Sequence, residues 1–255
     1  MTAADLLLDP GARPVIAHRG ASGLRPENTI AAFLLARELG ADGIELDVRL
    51  SADGVVMVHH DPTLDRTTDR TGRLDRLTAA ELGGVDAGQG EGIPTLAAAL
   101  DAAGGLPVLI ELKEARAAVP ALEVVRQLGA ERQVAFASFM PEALAPLPGE
   151  GIPLGATRPE IAGAALGAAI GWPPGRAGFD FFAVPYRWKD FLTVPTSRFI
   201  ARARRQQRLV HVWTVDDPGV ARMLWGRGVR GILTNRPEVL LPERHALPPG
   251  LAHLP

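Results

Sequence analysis

Short runs of β-branched and aliphatic residues alternate with Ala- and Leu-rich stretches along nearly the whole chain, and each change of period marks a predicted element. The apolar run 15–18 (V-I-A-H) predicts a first strand. Residues 28–39 predict a helix starting at Asn28 or Thr29, since both residue types favour the N-cap. Strands follow at 44–50 and 55–60, separated by S-A-D-G, whose Asp-Gly pair signals a tight turn. Residues 61–92 are rich in Asp, Thr, Arg and Gly with little periodicity, which predicts a partly ordered excursion with a short helix near 78–82. The alternation then resumes with helix 95–103, strand 107–113, helix 119–128, strand 134–138 and a short helix at 141–147. A weak strand at 153–157 and a helix at 160–169 lead to a breaker cluster at 171–178. Strand 179–185, helix 197–206, strand 209–215, helix 218–225, strand 231–234 and a closing helical turn at 237–240 follow. The Pro- and Leu-rich tail after Pro242 is expected to lie along the surface.

About eight βα-type units in succession predict a parallel sheet closed into a TIM (β/α)8 barrel. The expected organisation is a single domain over 1–255, with a small insertion at about 61–92 after the second strand region. A doubly wound open sheet is the alternative, but no predicted strand runs into the G-x-G-x-x-G phosphate turn it would carry. Reactive groups in a barrel gather where strands end at the C-terminal mouth. His18, Glu45, Asp47, His60, Glu111, Lys113, Ser138 and Trp213 all stand at or near such ends.

Composition narrows the partners more than the fold. A net charge of −2 leaves no electrostatic footprint for nucleic acid or an anionic membrane surface. With no cysteine there is no disulfide framework, thiolate nucleophile or sulfur-based zinc site, which fits a cytoplasmic protein. The start M-T-A-A-D-L-L-L lacks the basic segment and apolar core of a secretory signal. No window reaches the roughly 18 apolar residues of a membrane span. The expectation is a soluble cytoplasmic protein without stable membrane insertion, acting on a small molecule.

The chemistry concentrates in three predicted strands. Glu45 and Asp47 lie two apart in an apolar run and so share one face of a strand, where their repulsion calls for a cation or a raised pKa. Glu111 adds a third carboxylate from a separate strand, and an oxygen-only ligand set suits one divalent cation, Mg²⁺ or Ca²⁺. His18 and His60, each ending an apolar run, suit acid–base work beside such an ion. His59 should point to the opposite face of its strand and is read as structural. Arg19 and Lys113 offer cations to an anionic ligand, Arg as a planar fork and Lys as a point charge, and Trp213 is either a ring packed against the ligand or an ordinary barrel-core tryptophan. Ser138 has no G-x-S-x-G context and is not read as a nucleophile.

The motifs resemble the glycerophosphodiester phosphodiesterase family: H-R-G at 18–20, P-E-N-T at 26–29, E-L-D at 45–47, D-G at 53–54 and H-D-P-T-L-D-R-T-T at 60–68. E-L-K at 111–113, S-F at 138–139, V-W-T-V at 212–215 and G-I-L-T-N-R-P at 231–237 continue the match in order. The resemblance implies a barrel with His18 and His60 as catalytic acid and base. It also implies Glu45, Asp47 and Glu111 as metal ligands, Arg19 and Lys113 on the phosphate, and a chance that Glu27 or Asn28 reaches the site. It further implies attack by a neighbouring glycerol hydroxyl, then opening of a cyclic phosphate by water. Three positions depart from the family pattern, with Asp216, Arg230 and Asn235 standing where Asn, Asp and Asp are usual.

The leading expectation is metal-dependent hydrolysis of a glycerophosphodiester to glycerol 3-phosphate and an alcohol. A lysophospholipase D-type activity on lipid diesters is the alternative, and would use Phe179, Phe181, Phe182, Trp188 and Phe191 as a landing surface. A non-catalytic phosphodiester-binding barrel is a more distant one.

Overall fold

The computed structural model describes residues 3–172, 178–188 and 192–246. The expectations for residues 173–177, for the Trp188 side chain, for Phe191 and for the tail beyond 246 therefore lie outside what is described. Ten strands are described: β1 (Val15–His18), β2 (Gly43–Leu50), β3 (Val56–Val58), β4 (Val108–Leu112), β5 (Val134–Ala137), β6 (Phe181–Pro185), β7 (Arg187–Trp188), β8 (Leu192–Thr193), β9 (Leu209–Trp213) and β10 (Ile232–Thr234). Seven of them form one parallel sheet in the order β5-β4-β2-β1-β10-β9-β6. The two edges are joined through the short segment at 153–156. Gly155 N–H donates to Phe136 at 2.8 Å, Phe136 N–H to Pro153 at 2.9 Å, and Ala156 N–H to Phe181 at 2.8 Å. The fold is a barrel whose eighth stave is this two-bridge segment. Its brevity has a local cause: a Cβ at Gly155 would lie 3.2 Å from the Ala137 side chain and the Phe181 ring, and Pro153 can donate no ladder bond.

The predicted strand at 55–60 is real but is not a stave. It shortens to β3 and pairs antiparallel with β2, Val48 opposite Val58 and Leu50 opposite Val56, as the tight turn between them dictates. β7 and β8 form a second small antiparallel pair.

The helices are α1 (Ala3–Leu8), α2 (Ile30–Glu38), α3 (Ala79–Gly83), α4 (Leu96–Ala103), α5 (Ala118–Gln127), α6 (Pro141–Leu144), α7 (Arg158–Ile170), α8 (Ser197–Arg205), α9 (Pro218–Gly226) and α10 (Pro237–Ala246). Side-chain oxygens at Thr29, Thr95, Thr196 and Asp217 accept from the third residue on, which fixes where α2, α4, α8 and α9 begin. Two expectations need correction. The closing turn continues through Pro242 to Ala246. Buried Leu240 and an ion pair from Arg222 on α9 to Glu243, at 2.5 Å, hold both sides of the proline in place. The excursion at 61–92 is ordered around a core of its own made by Met57, Leu64, Leu74, Leu82, Val85, Ala87 and Ile93. Those residues are irregularly spaced, so no periodicity announced them.

Inward side chains fill the barrel in two halves. Ile16, Leu109, Ala135, Phe181 and Leu233 pack together, and Leu7 of α1, 2% exposed, closes this end. His211 is buried beside Phe181, its pKa pushed down to about 4 by burial, and Gly231 faces it because a Cβ there would meet His211 Nδ1 at 2.0 Å. Two residues further along each strand the inward positions are polar (His18, Glu111), small (Ala137, Ala183) or, at Trp213, a ring that walls the mouth. The small ones leave a cavity of about 240 Å³ at the C-terminal mouth. Among the described residues no helix is long and apolar enough to cross a membrane.

Candidate active site at the barrel mouth

Strand register alone assembles the acidic centre. His18 lies beside Glu45 across β1 and β2, and Asp47 beside Glu111 across β2 and β4. One ligating oxygen each from Glu45, Asp47 and Glu111 lies within 4.8 Å of the others. Glu45 and Asp47 are 3% and 0% exposed, so water cannot disperse their charge.

Two cations answer part of it. Lys113 Nζ stands 3.0 Å from Asp47 Oδ1 and 2.7 Å from Glu111 Oε1. Arg19 Nε is 3.1 Å from Asp47 Oδ2, and its Nη1 donates to Glu27 at 2.8 Å. Arg19 and Asn28 both hold left-handed backbone, φ 58° and 59°, in a region costly for residues with a Cβ. In these conformations Arg19 N–H donates to Glu45 Oε2 at 3.0 Å and Asn28 Nδ2 to Asp47 Oδ2 at 2.9 Å. Gly20 next to Arg19 is obligatory, since at φ 80° a Cβ would lie 2.7 Å from Ala32.

Burial pushes Glu45 well above the usual carboxylate range, and the charges of Asp47 and Glu111 push it further. Burial acts on Asp47 in the same direction, but Lys113 and then Arg19 outweigh it and hold its pKa low. Glu111 is raised, by burial first, with Lys113 opposing. Glu45 is thus the acid whose charge the protein itself balances least. The His18 imidazole stands beside it, Nε2 3.9 Å from Glu45 Oε2. Both imidazoles facing the cavity are held below the ordinary histidine value, chiefly by burial, with Arg19 adding to the effect at His18.

Each histidine has its Nδ1 engaged away from the cavity. His60 Nδ1 is 2.6 Å from Asp61 Oδ1, and His18 Nδ1 is 2.8 Å from Asn235 Oδ1. His59 faces the other way, its Nε2 3.1 Å from the Thr63 carbonyl, as strand alternation predicts. Ser138 Oγ donates to the Leu112 carbonyl at 2.8 Å, so its hydroxyl serves the backbone. Trp213 lines the cavity edge-on to Phe139 at 5.8 Å, and the Arg158 guanidinium lies 5.6 Å over the Phe139 ring.

The geometry gives contacts to Asp61, Arg66 and Asp216, to which the motifs had assigned no role. Arg66, from the insertion, joins Glu27 at 2.7 Å to Asp61 at 2.5 Å, so one chain of ion pairs runs Arg19–Glu27–Arg66–Asp61–His60 along the rim. Asp216 receives Asn235 Nδ2 at 2.9 Å. Such contacts depend on loops meeting in space and leave no periodic trace, although Asp61 and Arg66 do fall inside the H-D-P-T-L-D-R motif. Phe179, Phe181 and Phe182 are 6%, 1% and 0% exposed and belong to the core, so they offer no landing surface.

The profile of the glycerophosphoryl diester phosphodiesterase family matches residues 18–145 and 180–239. A Mycobacterium tuberculosis protein named "Probable glycerophosphodiester phosphodiesterase 2" is 32% identical over 247 residues, covering 90% of each chain. Among solved structures, a glycerophosphodiester phosphodiesterase from Agrobacterium tumefaciens is 31% identical with a TM-score of 0.70, over 89% of this chain and 99% of that one. A phosphodiesterase from Oleispira antarctica, solved with the product sn-glycerol-3-phosphate, is 27% identical with a TM-score of 0.75, over 91% of this chain and 96% of that one. With a family match spanning most of its length and both halves of its acidic centre, this chain belongs to the glycerophosphoryl diester phosphodiesterase family.

Proposed function

We propose that the protein hydrolyses glycerophosphodiesters to glycerol 3-phosphate and an alcohol, using one divalent cation and the pair His18 and His60. The observation that carries this reading is the meeting of three carboxylates from two strands, within 4.8 Å, at a cavity lined by Glu45, Glu111 and both imidazoles, with Asp47 buried behind it. The product bound to the Oleispira antarctica relative supports the choice of substrate class.

The donor set fits a hard ion. All three groups are carboxylates, which favours Mg²⁺ or Ca²⁺ over a soft transition metal. Glu45, raised by burial and by its acidic neighbours, has the signature of a carboxyl awaiting a cation. When bound, the ion supplies Lewis acidity to a phosphoryl oxygen and offsets charge that develops in the transition state. Arg19 and Lys113 orient the non-bridging oxygens from the same side, the guanidinium as a planar fork and the ammonium as a point charge. One neutral imidazole takes the proton of the attacking hydroxyl, and the other, in its protonated form, gives one to the departing alkoxide oxygen. Asp61 keeps His60 Nδ1 occupied, so its Nε2 is the atom left for proton transfer. Trp213 and Phe139 form the wall against which the alcohol packs, and Ala137 and Ala183 give it room.

The test uses purified protein, glycerophosphocholine and an enzymatic choline readout. Turnover should vanish in excess EDTA and return with Mg²⁺ or Ca²⁺ alone. Full activity after exhaustive chelation, with no ion retained, would overturn the proposal.

A further inference from the structure

Asn235 is a neutral amide set where it must choose which face to show His18, and the choice is made for it by Asp216. The Asp216 carboxylate accepts three hydrogen bonds from one short segment. These come from Thr234 Oγ1 at 2.7 Å, from Asn235 N–H at 2.8 Å, and from Asn235 Nδ2 at 2.9 Å. An ionised carboxylate can only accept, so the NH₂ end of the Asn235 amide is compelled to face Asp216. The Oδ1 end therefore faces His18 Nδ1 at 2.8 Å. An amide oxygen can only accept in turn, so His18 must carry its hydrogen on Nδ1 and keep Nε2 as the open lone pair. Nε2 is also the ring nitrogen nearer the acidic centre, 3.9 Å from Glu45. Ser22 Oγ, 2.9 Å from Asn235 Oδ1 and 2.7 Å from the His18 carbonyl, packs the same corner and can donate or accept, so it imposes no direction.

The geometry points to Asp216 and Asn235 as a two-residue positioning relay that dictates the tautomer of His18 from two side chains away. This rests on the acid–base role proposed for His18, but its first consequence is structural and does not depend on turnover. In Asp216→Asn the new amide keeps its oxygen toward Thr234 and the Asn235 N–H, and turns an NH₂ toward Asn235. Asn235 must then flip, show its own NH₂ to His18 Nδ1, and force the hydrogen onto Nε2. Adding Asn235→Asp restores an acceptor-only group that receives both the Asn at 216 and His18 Nδ1–H. The two substitutions exchange the residue types at the two positions and should cancel.

The experiment is long-range ¹H–¹⁵N correlation on full-length ¹⁵N-histidine protein, with steady-state kinetics on glycerophosphocholine for the same samples. The parent should show His18 as the Nδ1–H tautomer. D216N should show Nε2–H with kcat down about 100-fold and KM little changed, since the lone pair is lost rather than a binding contact. D216N/N235D should return both to near the parent. Should D216N fail to fold, Asn235→Ala is the second variant: it keeps Asp216, deprives His18 of its acceptor, and should leave a mixture of tautomers. A D216N spectrum still showing Nδ1–H, or a double variant no better than the single, overturns the relay. A tautomer that switches while kcat does not supports the relay and overturns the acid–base role of His18.

Discussion

Lys113 pairs with two of the carboxylates, Asp47 and Glu111, that would hold a divalent ion. Its Nζ sits 3.0 Å from Asp47 and 2.7 Å from Glu111, so in the metal-free protein it balances charge that the ion would otherwise balance. Lys113→Met keeps the length of the side chain and removes the charge. Asp47 then retains Arg19 and Asn28, whereas Glu111 loses its ion-pair partner. Two carboxylates about 4 Å apart at an effective dielectric near 20 repel by about 4 kcal/mol. Removing one partner of a buried pair typically costs about 3–5 kcal/mol. The metal-free variant should therefore be about 3 kcal/mol less stable near pH 8, read as a lower urea midpoint at unchanged slope. The pH dependence follows from Glu111, whose folded pKa is raised chiefly by burial and would rise further without the ammonium. A raised carboxyl contributes its full stability below the unfolded pKa and loses it as pH climbs through the folded one, so the deficit should grow with pH and shrink toward acid. Metal acts the other way. Without a competing ammonium the ion should bind about tenfold more tightly, about 1.4 kcal/mol, and saturating ion should cancel roughly half of the deficit. A metal-free variant as stable as the parent, or a deficit indifferent to both pH and metal, would refute the shared-oxygen arrangement.

Other outcomes follow from the same geometry. His60→Gln should lower kcat by roughly 10²–10⁴ with the fold intact by circular dichroism, and wild-type turnover would remove His60 from the mechanism. Asp61→Asn, which weakens the 2.6 Å contact that orients His60, should lower kcat about tenfold while KM holds, and a rise in KM alone would show Asp61 acting on binding instead. Because burial raises Glu45 and Glu111, ion binding should release protons, and increasingly so as pH falls below neutrality. Calorimetry in buffers of different ionisation heat reads this directly, and heats independent of buffer would contradict it. Arg66→Ala should break the rim chain between Glu27 and Asp61 and raise protease sensitivity within residues 61–92, measured by limited proteolysis against the unchanged parent pattern.

The acidic centre was legible because strand periodicity is short and strict. E-L-D and E-L-K place alternate side chains on one face, and parallel register brings Asp47 and Glu111 side by side. His18 and His60 followed from their places at the ends of apolar runs. The alternation of elements was enough for the barrel, but not for its seam, where Gly155 trades ladder length for close packing. Helix α1 escaped notice because six residues with one well-buried leucine carry no measurable period. The insertion looked loosely ordered because its small core draws on residues from Met57 to Ile93 at uneven intervals. Asn235 stood out as a departure from the family pattern, yet its contact with His18 spans 217 positions and only the closed barrel brings the two together. Asp216 was likewise visible as a departure but not as its partner.

The claim under all of this is that Glu45, Asp47 and Glu111 hold one dication between the two imidazoles. Crystals grown with Mn²⁺ and glycerol 3-phosphate, measured at the manganese absorption edge, test it most directly. A single anomalous peak bonded to one oxygen of each of the three carboxylates, with the phosphate beside Arg19 and Lys113, is the predicted result. A phosphate seated in the mouth with no anomalous peak among those carboxylates, or a peak bound elsewhere, would contradict it.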